Sequence, residues 1–241
     1  RRQGQVSMGD GRHFDMDVDT VEQRPREFGL IVGDAARHAG ARAPLGAVRN
    51  AFRARDAELI LRLSAELGHY IGDAHVPLHT TENYNGQLTG QEGIHGFWES
   101  RLPEIFSAEY DFFVGRAEYT HDTREAAWLA VASSHSLVNR VLEGERKLSA
   151  EFQEKKYSFE TRGQATMKVY SEEYARAYHD ILDGMVEKQM RASIKMTGDF
   201  WYTAWVEAGE PDVHLLMNYQ PIHENVDHAV TIRDAKLRAH E

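Results

Sequence analysis

A chain of 241 residues that is 41% hydrophobic can fill one hydrophobic core, which makes one domain the expectation and excludes a long disordered protein. It has no cysteine, so disulfides and thiolate zinc sites are excluded, and any metal must be held by His nitrogen and Asp or Glu oxygen. A formal charge of -10 argues against a broad electrostatic grip on nucleic acid or anionic lipid, which would rest on clustered Lys and Arg.

The chain opens at Arg1, not Met, as expected of a processed or truncated form, and its start lacks the charged, apolar and small-residue order of a signal peptide. No apolar run approaches the length of a membrane span. The clearest predicted helix lies between about Asp56 and Val76, where Ile60, Leu63, Leu67, Ile71 and Ala74 recur at steps of three and four. Pro77 ends it, and a loop leads to a second helix start around His95 and Glu99. Trp128, Val131, Val138 and Leu142 mark one further helix. Tyr174, Tyr178, Ile181 and Met185 mark another that runs on toward Trp205. Strand-like alternation is weak throughout, so the expected fold is an all-α, multi-helix bundle with long connecting loops. Gly209, Pro211 and Pro221 break the polar C-terminal stretch, giving a domain over 1–209 and an irregular extension over 210–241. The histidines of that extension, His214, His223, His228 and His240, match no ligand spacing.

The stretch "GHYIGDAHVPLHTTENYNGQLTGQEGIHGFWES", from Gly68 to Ser100, holds four histidines with carboxylates at helical intervals. His69 and Asp73 are four apart and share a helix face, in line with Arg62 and Glu66. That pair alone suits open solvent as well as a cleft wall. Just past the helix end comes His79, and beyond the loop His95 and Glu99, again four apart. Three imidazoles and two carboxylates are the donors that a borderline metal such as zinc takes, and a spacing of four lets two side chains of one helix reach one ion. Metal binding is the reading of the set taken jointly. His75, two positions from Asp73, falls on another face and reads as a residue behind the ligands or at the surface. His121, His135 and His179 stand alone and read as structural histidines. Asn85, in "ENYNG", reads equally as a hydrogen-bond donor to phosphate and as an ordinary Asn-Gly turn. A rival scheme uses "ELGH" and "EGIH" as the two Glu-x-x-His pairs of a di-iron bundle, but Glu92 lies in a Gly-rich loop and His79 and Glu99 are left without roles.

Laid out as His-x3-Asp-x5-His and then His-x3-Glu, the stretch resembles the superfamily of bacterial zinc-dependent phospholipases C and fungal single-strand-specific nucleases. "HYIGDAHVPLH" is similar to that family's central helix and loop, and "GRHFDMD" to the segment carrying a further zinc histidine followed by an aromatic residue. The resemblance covers about 1–209 and is strongest over 59–106. It implies a helical fold with a cleft for up to three Zn2+ ions that hydrolyses phosphate esters. Carried over, His13, His69 and Asp73 would hold one zinc, with Asp73 bridging toward a neighbouring ion, and His79, His95 and Glu99 would hold the remaining one. Asp73 and Glu99 are thereby the catalytic carboxylates, and Phe14 and Asn85 the candidate substrate contacts. Glu at 99 matches the phospholipases, where the nucleases usually have Asp. The chain begins too late for the family's N-terminal tryptophan, the histidine that follows it and the upstream aspartate. None of Asp10, Asp15, Asp17 or Asp19 stands at the matching place. The expectation is a fragment without its first helix, or else a site with fewer metals; two sites are largely present.

The expected function is therefore a zinc-dependent phosphoesterase acting on a lipid, nucleotide or other small phosphoester. Metal-activated water would serve in place of a side-chain nucleophile. The alternatives are a non-catalytic helical domain clamped by zinc and the di-iron bundle. By resemblance the protein is secreted or periplasmic, with no stable nucleic-acid partner.

Overall fold

A computed structural model describes residues 3–7, 13–17, 42–163 and 165–216. The described chain is mainly helical. In order it comprises strands β1 (Gln3–Ser7) and β2 (His13–Asp17), then helices α1 (Arg42–Ala54) and α2 (Ala57–Ala74), then a 3₁₀ turn at Pro77–Thr80. A composite helix follows, made of α3 (Ile94–Gly96), a π-helical turn (Phe97–Arg101) and α4 (Leu102–Phe106). After an extended strap come α5 (Thr123–Ser136), α6 (Val138–Phe152), a hairpin of β3 (Tyr157–Arg162) and β4 (Ala165–Tyr170), and helices α7 (Glu172–Leu182) and α8 (Met185–Glu207). Both strand pairs are antiparallel two-stranded sheets, with His13 opposite Ser7 in the first and Tyr157 opposite Tyr170 in the second.

The strands depart from the all-α expectation. In "YSFE" the apolar alternation lasts four residues, from Tyr157 to Glu160, too short to stand out against the helical periodicities around it. The helix expected through Trp128 and Leu142 is two helices. It breaks at Leu137, where the Ser136 hydroxyl donates to the Ser133 carbonyl at 2.6 Å and competes with the helical ladder. The helix expected to run from Tyr174 toward Trp205 also divides. Asp183 (φ 54°) and Gly184 (φ 70°) are both left-handed, a conformation that glycine takes freely and Asp tolerates, and two such residues end α7 before α8 begins.

The helix expected from about Asp56 is α2. Asp56 caps it by accepting from the Leu59 amide at 3.0 Å. Its buried stripe, Leu67 and Ile71, packs with Val48 of α1 and with Phe200 and Ala204 of α8. Arg49 ties α1 to α8 through Glu207 at 2.9 Å. The larger core lies beyond the helix end, where Leu78, Ile94, Phe97, Leu102 and Phe106 meet Val141, Tyr174, Tyr178 and Leu182. Of the predicted ligands, His69 and Asp73 lie on α2, which packs into the first of these cores, and His79, His95 and Glu99 lie on the segments whose Leu78, Ile94 and Phe97 enter the second.

Candidate metal centre

Helix α2 stops because Pro77 cannot continue the ladder and holds Val76 extended (φ -95°, ψ 115°) before it. The carbonyls left open at that end are claimed individually. The Ile71 carbonyl accepts from His75 Nδ1 at 2.7 Å, the Ala74 carbonyl from the Ser134 hydroxyl at 2.8 Å, and the His75 carbonyl from Gln189 Nε2 at 2.6 Å. His75 is thus a buried structural histidine, and burial pushes its pKa below the ordinary 6.5. The 3₁₀ turn then buries Leu78 and Thr80 on either side of His79 and leaves His79 half-buried between them. His135 Nδ1 fixes the turn from below by donating to the Thr80 carbonyl at 2.9 Å.

The return loop, 81–93, is built on its own polar side chains. Asn83 donates to Thr89 Oγ1 at 2.9 Å and accepts from the Leu88 amide at 2.7 Å, while Asn85 Oδ1 accepts from the Gly93 amide at 3.0 Å. Asn85 thus spends its side-chain carbonyl on the loop. Gly93 (φ 93°) precedes Ile94, and the buried Ile94 anchors the helix that carries His95 and Glu99. The π-helical turn over Phe97–Arg101 begins just after His95 and contains Glu99, a distortion that often accompanies functional sites.

These two segments bring the ligands together. His95 Nε2 is 2.7 Å from Glu99 Oε2, His79 Nε2 is 3.5 Å from the same oxygen, and one ligand atom from each of the three residues lies within 4.8 Å of the others. It is the one such His/Asp/Glu group among the described residues. The two rings meet edge to face at 4.7 Å. Asp73 stands on the other side of His79, its Oδ1 at 3.7 Å from Nε2, and its Oδ2 is 3.5 Å from His69 Nε2. One carboxylate thus faces two imidazoles. His69 is well exposed, whereas Asp73 and His79 are half-buried. The His95 ring is held by a backbone carbonyl. Its Nδ1 faces the Tyr84 carbonyl at 3.1 Å, which makes Nδ1 the N–H and turns Nε2 inward.

The residues present fit a cation on two grounds. His79 Nε2 is buried and has no hydrogen-bond partner, although it points between two carboxylates. Buried polar atoms are rarely left so. The donor set is also the nitrogen-and-carboxylate mixture that zinc accepts. With a proton in place of a metal, the same geometry perturbs titration. Burial pushes the His79 ring down, but the Glu99 and Asp73 carboxylates outweigh it and hold its pKa above 6.5. His79 and His95 in turn hold Glu99 well below the usual carboxylate range. Arg101, the nearest cation along the helix, is occupied by Glu104 at 3.3 Å and by Glu160.

Among the other predicted site residues, His13 and Phe14 lie on β2, whose side chains are outside the described residues. His135 and His179 are structural: His179 Nε2 pairs with the Tyr110 hydroxyl at 2.8 Å. His223, His228 and His240 lie outside the described residues. For the di-iron scheme, Glu66 and Glu92 are exposed, and Glu92 lies in the turn before the helix. Two features had no sequence signal. Tyr84, an exposed aromatic 6.1 Å from the His95 ring, supplies its backbone carbonyl to that histidine. Gln91 is bound to a buried glutamate on α6.

No family model, curated protein or solved structure matches the chain.

Proposed function

We propose that the protein is a zinc-dependent hydrolase of phosphate esters, related to the zinc phospholipases C and single-strand-specific nucleases that the sequence resembles. The observation that carries the reading is the convergence of His79, His95 and Glu99 on one point, with the buried His79 Nε2 lacking a hydrogen-bond partner. His79, His95 and Glu99 would hold one ion, and His69 and Asp73 would contribute to a second. Bound there, zinc supplies Lewis-acid polarisation of phosphoryl oxygen and acidification of water.

The chain's own residues do the rest. Tyr84 and Glu99 fix the His95 ring from both edges, so its inward nitrogen is held in one orientation. Asp73 presents one oxygen to each of two imidazoles, so this carboxylate would contribute to both sites if both were filled. With Arg101 tied to carboxylates and a formal charge of -10, a bound cation would be the local positive centre that an anionic substrate needs. Asn85 and Phe14 are the proposed substrate contacts. Three protein ligands leave a position open, which favours a catalytic over a purely structural site. Among the described residues no helix is long and apolar enough to cross a membrane.

Zinc analysis of protein purified without chelator tests the site, with one equivalent or more expected. Hydrolysis of a chromogenic phosphodiester, lost in a folded Glu99→Ala variant, tests the activity. Protein that carries zinc without any turnover across a panel of phosphoesters would leave the structural-zinc reading in its place. Bound iron in place of zinc would point to the di-iron bundle.

A further inference from the structure

The metal loop is tied to a buried charge that the proposed chemistry does not use. Glu145, on α6, is 1% exposed. Its Oε1 accepts from the Tyr174 hydroxyl at 2.6 Å and pairs with Lys156 Nζ at 2.7 Å. Its Oε2 accepts from Gln91 Nε2 at 2.5 Å, and the same amide donates to the Leu142 carbonyl at 2.8 Å. Burying an ion pair is costly, and well-packed apolar side chains in its place are often as stable or more so. Stability alone is therefore a weak reason for the network, and the place it grips the chain matters. Gln91 is the residue on which the return loop closes: its amide donates to the Gly86 carbonyl at 2.9 Å, and its carbonyl accepts from the Ile94 amide at 3.1 Å, one residue before His95. The loop on the far side of that closure carries the Tyr84 carbonyl that orients His95.

We propose that Glu145, acting through Gln91, is a positioning residue for the metal ligand His95. The inference rests on the metal reading above. Gln91 is the mechanical link, because its side chain is held by α6 and its backbone by both the loop and the helix that carry the ligand and its orienting carbonyl. Lys156 and Tyr174 hold the other oxygen of Glu145, Oε1, and leave Oε2 to Gln91. Lys156 also lies 5.5 Å from the centre of the Tyr174 ring, so the cation is held in turn by the aromatic wall of the core.

Gln91→Met preserves length and bulk, removes the donor and leaves the Glu145–Lys156 and Glu145–Tyr174 contacts in place. Residues that orient metal ligands typically change affinity by about 10–100-fold, so Zn2+ binding, measured by competition with a chromophoric chelator, should weaken by that factor. Tyr174→Phe removes a partner of Glu145 remote from the loop. It should lower the melting temperature and leave zinc affinity within about twofold. Gln91→Asn, which keeps the amide but cannot reach Glu145, should match Gln91→Met and serves if that variant does not fold. Folded Gln91 variants with wild-type zinc affinity would overturn the inference while the metal site stood. Equal losses of affinity in Tyr174→Phe and the Gln91 variants would also overturn it, by showing a general loss of packing. A wild-type protein that binds no Zn2+ would remove the site and this inference together.

Discussion

Glu99→Gln tests the metal centre most sharply, because it changes charge and almost nothing else. The substituted amide keeps the shape and one oxygen to accept from His95 Nε2, now 2.7 Å away. What is lost is the negative ligand shared by two imidazoles. Zinc held by four protein ligands in small domains is bound with about 10–16 kcal/mol at neutral pH, so each ligand carries roughly 3 kcal/mol and losing one costs about a hundredfold in affinity. A second effect opposes the first. Glu99 helps hold the His79 pKa above 6.5, and without it the ring gives up its proton more readily, which eases metal binding where proton competition matters. The loss should therefore be close to its full size at pH 7.5 and smaller at pH 6. Chelator-competition titrations of Zn2+ at both pH values read this directly. A variant that binds within about threefold of wild type at pH 7.5, or loses more affinity at pH 6 than at pH 7.5, would refute the assignment of Glu99 as a ligand.

The metal-free protein should show a matching pH signature. His79 has a raised folded pKa, so its contribution to stability is present below 6.5 and fades as pH rises through the folded value, whereas that of Glu99 is present above 4.5 and fades as pH falls toward its depressed one. The melting-temperature difference between wild type and His79→Ala should accordingly be largest between those two values, and a difference that grows steadily above pH 7 would contradict the pairing. Phe97→Ala should cost about 3–5 kcal/mol in chemical denaturation, since the ring is buried and stacked on Tyr170 at 3.9 Å and Tyr178 at 5.0 Å. Gly86→Ala should destabilise by about 1–3 kcal/mol and weaken zinc binding as well, because φ is 77° and the new methyl would meet the Gln91 carbonyl. Zinc occupancy should be graded, highest at His79, His95 and Glu99 and lower at the exposed His69 with Asp73; anomalous scattering at the zinc edge measures it, and equal occupancies would contradict the ligand sets.

How much of this was legible in the sequence depends on the range over which each feature is decided. The span of α2 was written locally, in the 3–4 periodicity from Ile60 to Ala74, the Asp56 cap and the Pro77 stop. Backbone geometry translates such signals into structure within a few residues, so they need no partner. The pairing of His69 with Asp73 and of His95 with Glu99 was legible for the same reason. What no local pattern could decide was whether the two pairs would meet. That depends on Leu78 and Ile94 entering one core, on Ser134 and Gln189 closing the end of α2, and on Gln91 reaching a glutamate more than fifty residues along the chain. The breaks at Leu137 and at Asp183–Gly184 escaped the periodicity because an apolar stripe can pass through a change of helix without losing its spacing. Glu145 escaped it too: a carboxylate amid the charged residues of α6 looks solvated until Lys156, Gln91 and Tyr174 fold around it. Sequence alone offered the candidate donors, since ligand chemistry resides in side-chain type and short spacing; only tertiary packing turned His79, His95 and Glu99 toward one point, since the energy that does so comes from burying residues far apart in the chain.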